Sequence, residues 1–131
     1  MDLWFTEYYT KNARFSVKVN RQIASVESEF QRIDVFESYA FGRVLVLDGC
    51  IMLTEKDEFI YHEMMTHIPM AVNPEIHDIL VIGAGDGGVV RELARYDSIE
   101  RIDMVEIDKL VVDICREYLP QTACRLDDPR V

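Results

Sequence analysis

Ile79-Leu-Val-Ile-Gly-Ala-Gly-Asp-Gly-Gly-Val-Val-Arg-Glu-Leu-Ala94 is the stretch whose reading decides the fold. An apolar run, Ile79 to Ile82, meets a glycine-rich turn, Gly83 to Gly88. A helical pattern follows, carried by Val89, Val90, Leu93 and Ala94. Strand, tight loop, helix is the opening unit of a nucleotide-binding α/β domain, in which the ligand sits at the carboxyl end of the first strand. Glycines in such a loop let the backbone approach a ligand because no Cβ stands in the way. Asp86 is out of place in a loop that cradles phosphate.

Outward from the loop, the alternation continues. The pattern predicts a strand over 77–82, a helix over 88–95, a strand over 101–106 and a second helix from Asp108 with Val111, Ile114, Cys115 and Tyr118 on one face, stopped by Pro120. The order β-α-β-α implies a parallel sheet with right-handed crossovers. Two such units do not close a sheet of this class, and Asp127-Asp-Pro-Arg-Val131 reads as a loop running into a strand start. The expectation is the first part of a longer protein.

Before the α/β part, residues 3 to about 54 read as β. Phe15, Val17 and Val19 alternate with Ser16 and Lys18. Ile33, Val35 and Phe36 form a further run between polar residues 27–29 and the turn-like 38–42. Arg43–Leu47 and Cys50–Thr54 flank Asp48-Gly49, a strong hairpin signal because both turn positions require φ > 0. From Thr54 or Asp57, either able to cap a helix, Tyr61, Met64, Met65 and Ile68 recur at helical spacing, with Pro69 and Pro74 marking the end region. The fold class expected is α/β: a small N-terminal antiparallel β-domain (1–55), a connecting helix (56–74) and the incomplete first half of a Rossmann-like parallel sheet (75–131).

Composition bounds the function. The chain has 131 residues, 49% hydrophobic and 29% charged, which suits a globular protein with a real core. The net charge of −10 excludes the basic footprint of a nucleic-acid binder and permits a cationic ligand. No apolar run approaches the roughly 18–20 residues that a membrane span needs, and Met1-Asp2-Leu3-Trp4 lacks the features of a signal peptide. Cys50, Cys115 and Cys124 show no C-x-x-C spacing and read as reduced thiols of a cytoplasmic protein. No metal site is expected: His62 and His67 stand five apart, about 140° around a helix, where a zinc-protease pair needs four.

Gly83-x-Gly85-x-x-Gly88 formally matches the dinucleotide fingerprint. Glu106, at the end of the next strand, suits an acid that hydrogen-bonds a ribose diol. A dinucleotide would set pyrophosphate against the loop, where Asp86 would repel it by on the order of 1–4 kcal/mol at about 4 Å. A sulfonium or an amine would be attracted. Asp86 with Glu106 thus favours an S-adenosyl-type ligand or an amine over NAD.

Taken together, Asp57-Glu-Phe-Ile-Tyr-His-Glu-Met64, Gly83-Ala-Gly-Asp-Gly-Gly88, Val105-Glu-Ile-Asp108, Leu126-Asp-Asp-Pro-Arg-Val131, and Phe41-Gly-Arg-Val44 leading to Leu47-Asp-Gly49 resemble the spermidine synthases, or polyamine aminopropyltransferases. The resemblance runs along essentially the whole chain and covers the N-terminal part of a typical member. It implies a cytoplasmic enzyme of spermidine biosynthesis, a homodimer or homotetramer. Such an enzyme moves an aminopropyl group from decarboxylated S-adenosylmethionine to putrescine, giving spermidine and S-methyl-5′-thioadenosine, with no permanently bound cofactor. By motif position, Gln31 contacts the aminopropyl donor, Tyr61 and His62 line the diamine site, Asp86 holds an amino group, and Glu106 holds the ribose, with Gly83 and Gly85 in the loop. Met52 stands where many members carry glutamine. The family's catalytic base is an aspartate in a later Asp-rich loop, so no catalytic residue is assigned here and the 131-residue chain is expected to be inactive alone. An S-adenosylmethionine-dependent methyltransferase and a non-catalytic nucleoside-binding or assembly fragment are the alternative readings.

Overall fold

The computed structural model describes residues 2–131. They form two compact units, one ending at Asp57 and the other Glu58–Val131.

The first unit is one antiparallel sheet of β1 (Leu3–Thr10), β2 (Ala13–Glu27), β3 (Arg32–Ser38), β4 (Gly42–Leu47) and β5 (Cys50–Thr54), in the order β1-β2-β3-β4-β5. Its core is aliphatic: Val17, Val19, Ile33, Val35, Val44, Leu45, Val46 and Leu53 are buried. β2 is long enough to serve both neighbours because two register shifts, between Val19 and Arg21 and between Gln22 and Ala24, bend it. The two outer strands approach each other where the Ile51 amide donates to Glu7 Oε2 at 3.3 Å. Asp34 is buried within β3, where Gln22 donates to it at 2.7 Å and the Arg32 guanidinium at 2.9 Å. A buried carboxylate needs such partners. The Asp48-Gly49 hairpin forms as its chemistry requires, with φ of 48° and 82° and Leu47 paired to Cys50.

The second unit contains α1 (Glu58–Val72), β6 (Asp78–Ile82), α2 (Gly88–Leu93), β7 (Arg101–Val105), α3 (Lys109–Tyr118) and α4 (Pro120–Ala123). β6 and β7 pair in parallel, from Asp78↔Arg101 to Ile82↔Val105. Val90, Leu93, Ile99, Ile102, Val111, Ile114, Cys115 and Leu119 build the core. Asp108 caps α3 through Oδ1, which accepts from the Leu110 amide at 3.0 Å. α2 closes two residues earlier than expected. The final residues form a turn rather than a strand start, although the Arg130 carbonyl accepts from Ile102 at 2.8 Å. The Arg130 guanidinium meets the carbonyls of Ala94 (2.7 Å), Tyr96 (2.9 Å) and Ile99 (3.3 Å), and so closes the end of α2.

α1 departs most from expectation. The apolar residues that revealed it, Tyr61, Met64, Met65 and Ile68, are exposed. Its buried stripe is Glu58, His62, Thr66 and Met70, spaced by four and mostly polar. Pro69 lies inside the helix rather than at its end, and the helix runs on to Val72. The last turn holds because Met70 is buried and Asn73 donates to the Pro69 carbonyl at 3.0 Å.

Candidate functional site

The glycine loop follows β6 directly. The Gly83 amide donates to the Val105 carbonyl at 2.8 Å, so the parallel ladder extends one residue into the loop. Gly83 has φ of +71° and open space where a Cβ would stand. The other three glycines are not open. At Gly85 a Cβ would press on Glu106 Oε2 and Val111, each at 2.9 Å. At Gly87, with φ of +83°, it would meet Ala123 at 2.9 Å and Leu126 at 3.0 Å. At Gly88 it would collide with the His62 ring. The expectation that all four glycines leave room for a ligand is corrected: three leave room for the protein's own atoms, and only Gly83 faces outward.

Glu106 leaves β7 and turns onto the loop. Its Oε2 accepts from the Gly85 amide and its Oε1 from the Asp108 amide, both at 3.0 Å. Each oxygen retains a second lone pair. The carboxylate is half-buried, fixed by backbone, and placed where the two strands end.

Asp86 turns inward from the loop, with its side chain 23% exposed. Oδ1 accepts from the Gly88 amide at 2.7 Å and from His62 Nε2 at 3.0 Å. His62 is 2% exposed, and its other nitrogen, Nδ1, lies 2.5 Å from Glu58 Oε2. Arg91 grips both oxygens of Glu58, at 2.8 and 3.0 Å, and also reaches Glu92 at 2.9 Å and the Gln121 carbonyl at 3.1 Å. The result is a chain of alternating charge, Arg91–Glu58–His62–Asp86.

Two carboxylates, one at each ring nitrogen, need two N–H donors, which only the imidazolium supplies. Burial by itself pushes His62 toward the neutral form, but its hydrogen bonds to Asp86 and Glu58 outweigh that and hold it above its ordinary value. Burial raises Asp86 in turn, and the His62 bond, its charge and the Gly88 amide carry it below the usual aspartate range. Glu58 is likewise lowered, with the Arg91 and His62 hydrogen bonds offsetting its desolvation. Geometry and these shifts alike favour the charged form of all four groups.

The structure distributes the expected site residues as follows. Asp86, Glu106, Gly83 and Gly85 meet at the carboxyl ends of β6 and β7. Tyr61 is 61% exposed and, with Gly83, lines a groove of about 470 Å³ along β6, α1 and α2. His62, expected as a wall of the diamine site, is buried instead with both nitrogens engaged. Gln31 and Met52 lie in the first unit. Gln31 ends the turn before β3, where its carbonyl accepts from the Ser28 amide at 2.9 Å. Met52 is exposed and lines a pocket of about 240 Å³ with Tyr9, Phe15 and Phe41. Sequence reasoning missed Glu58 and Arg91. The only signal was spacing, since Glu58 and His62 are four apart and so share a helix face. Among the described residues, no group of three or more His, Cys, Asp or Glu side chains is arranged to hold a metal ion, and no helix is long and apolar enough to cross a membrane.

Comparison with known proteins accounts for both units. Residues 58–131 match the spermine/spermidine synthase domain, and residues 3–55 match the spermidine synthase tetramerisation domain. A polyamine aminopropyltransferase of Alkaliphilus oremlandii is 70% identical over all 131 residues, which are 46% of the relative's length. One from Clostridioides difficile is 61% identical over the same share of each chain. The spermidine synthase of Thermotoga maritima superposes with a TM-score of 0.94 at 50% identity, over 98% of this chain and 45% of that one. A spermidine synthase solved in complex with the transition state analogue AdoDATO gives the same TM-score and identity. The chain spans about half the length of the relatives it matches. It belongs to the spermine/spermidine synthase family, on a Rossmann-like fold preceded by an antiparallel sheet.

Proposed function

We propose that this chain supplies the donor-binding half of a spermidine synthase, in which an aminopropyl group passes from decarboxylated S-adenosylmethionine to putrescine. The observation that carries the reading is Asp86: a charged, half-buried carboxylate inside a nucleotide-type glycine loop, beside the ribose-suited Glu106. In the reaction the neutral amine nitrogen attacks the carbon next to the sulfonium, the carbon–sulfur bond breaks, and S-methyl-5′-thioadenosine leaves with the bonding pair. Glu106 accepts from the ribose hydroxyls, Asp86 pairs with an ammonium, and Tyr61 supplies a wall. These groups bind and align, which is most of what an in-line displacement needs. None of them is assigned as the base. The 131-residue chain is accordingly a binding half without turnover, cytoplasmic in the cell and homo-oligomeric through its first unit.

Calorimetry with S-methyl-5′-thioadenosine tests the ribose assignment. The product of the complete reading frame that contains this sequence binds it, and Glu106→Ala loses at least tenfold in affinity, the worth of about one hydrogen bond to a charged group. Unchanged affinity refutes the role of Glu106. Measurable aminopropyl transfer by residues 1–131 alone refutes the claim that the chain lacks turnover.

A further inference from the structure

His62 and Glu58 are buried, yet they hold the loop's own carboxylate, Asp86. The bonds to Asp86 from Gly88 and from His62 both fall on Oδ1. They hold the carboxyl group by its Oδ1 side, while 23% of the side chain stays exposed. Behind His62, Glu58 has no freedom of its own, because Arg91 holds both its oxygens in a planar fork. Arg91 is fixed in turn by Glu92 and by the Gln121 carbonyl. Gly88 completes the device, since only a residue without Cβ admits the imidazole against the loop. The orientation of Asp86 is thus set from α1, through three ionic contacts in series.

We propose that Glu58 and His62 are positioning residues that aim the Asp86 carboxylate at an alkylammonium group of the substrates, with Arg91 as the fixed end of the relay. The inference rests on the function proposed above for the loop, and it replaces a direct contact between His62 and the diamine by an indirect one. Each link is charge-assisted, so loss of either positioning residue frees the Asp86 carboxyl to rotate without removing its charge.

The test uses the complete reading-frame product and the variants Glu58→Gln, His62→Gln and Asp86→Asn. Glu58→Gln keeps the shape of the side chain, so it serves if His62→Gln folds poorly, and thermal melts establish which variants are folded. The expected result is a ten- to hundredfold rise in KM for the amine-bearing substrates, the range of one charge-assisted hydrogen bond. Affinity for S-methyl-5′-thioadenosine, which has no ammonium, stays within about twofold. In the Asp86→Asn background, Glu58→Gln adds nothing further. Additive effects of the two substitutions overturn the relay, because independent sites add. Equal losses for the amine substrates and the nucleoside overturn it as well, by reducing His62 to a packing role. A wild-type protein with no aminopropyl transfer refutes the proposed function instead. The relay is then decided by the ¹⁵N spectrum of His62: both nitrogens protonated at neutral pH, and the proton lost more easily in Asp86→Asn, support it. A neutral imidazole indifferent to Asp86→Asn overturns it.

Discussion

Gly88→Ala is a one-carbon change whose cost the structure specifies. Gly88 opens α2 with an ordinary helical backbone, so propensity favours alanine there by up to about 1 kcal/mol. The new methyl, however, falls on the His62 ring. The imidazole must leave its seat between Glu58 and Asp86, and removing one member of a buried ionic pair costs about 3–5 kcal/mol. The lower end applies, because Glu58 keeps Arg91 and Asp86 keeps the Gly88 amide and some access to water. The net expectation is about 2 kcal/mol of destabilisation, or a fall of roughly 8 °C in melting temperature for a chain of this size. Gly83→Ala is the control: its φ of +71° is strained for any L residue, by about 1–2 kcal/mol, but its Cβ meets nothing. The two substitutions separate in a double-mutant cycle followed by circular dichroism. In a His62→Ala background the cost of Gly88→Ala disappears, since the ring it struck is gone, while the cost of Gly83→Ala persists. A Gly88→Ala penalty that survives removal of His62 would show that the ring does not occupy the loop, and the relay would fall with it.

Two further perturbations follow from the same geometry. His62 is held above its ordinary 6.5, so the stability it contributes is fully present below about 6.5 and is lost as pH rises through its raised value; Glu58 and Asp86 are held below 4.5 and 3.8, so theirs is present above those values and is lost as pH falls through the lowered ones. Urea midpoints measured against pH therefore trace a plateau between about 4.5 and 6.5, with an alkaline decline that vanishes in His62→Gln; a decline of unchanged size in that variant removes His62 as its cause. Arg130→Lys lowers the melting temperature more than Arg101→Lys does, since Arg130 forks across three backbone carbonyls and Arg101 meets only the exposed Asp103. Equal shifts would mean that the carbonyls at the end of α2 do not depend on Arg130.

The elements were legible where local chemistry dictates them. Asp48-Gly49 needs two left-handed residues and gets them, and Asp108 caps α3 as a short acidic side chain can. The strand-loop-helix order of 79–94 was legible from its apolar run and glycines. The orientation of α1 was not. Its apolar residues face outward, and its buried stripe carries an acid, a histidine and a threonine, so a rule that places apolar residues inside selects the opposite face. What fixes that face is pairing with Arg91 and Asp86, at separations of 33 residues from Glu58 and of 24 between His62 and Asp86, which no periodicity reports. Pro69 misled for a related reason: the burial of Met70 one residue on holds a turn that backbone rules alone would end.

The loop's glycine spacing is shared with phosphate-binding folds, but its hydrogen bonds are not those of a phosphate cradle. A phosphate cradle works by offering unpaired backbone amides to an anion. Here the amides of Gly85 and Gly88 already donate to Glu106 and Asp86, and that of Gly87 to the Ala84 carbonyl. An incoming phosphate would find those donors occupied and two carboxylates in front of it, Glu106 repelling a unit charge by about 4 kcal/mol at 4 Å in a surface-like dielectric and Asp86 by less, since His62 offsets its charge. A ligand that presents hydroxyls to Glu106 and a positive charge to Asp86 meets no such conflict, and it leaves the existing amide bonds intact. The glycines serve the same end. By admitting the Glu106 carboxylate at Gly85 and the His62 ring at Gly88, they fix two acids around the single open position, Gly83. The identity of residues 58, 62, 86, 91 and 106, rather than the glycine count, therefore sets the charge that this loop presents.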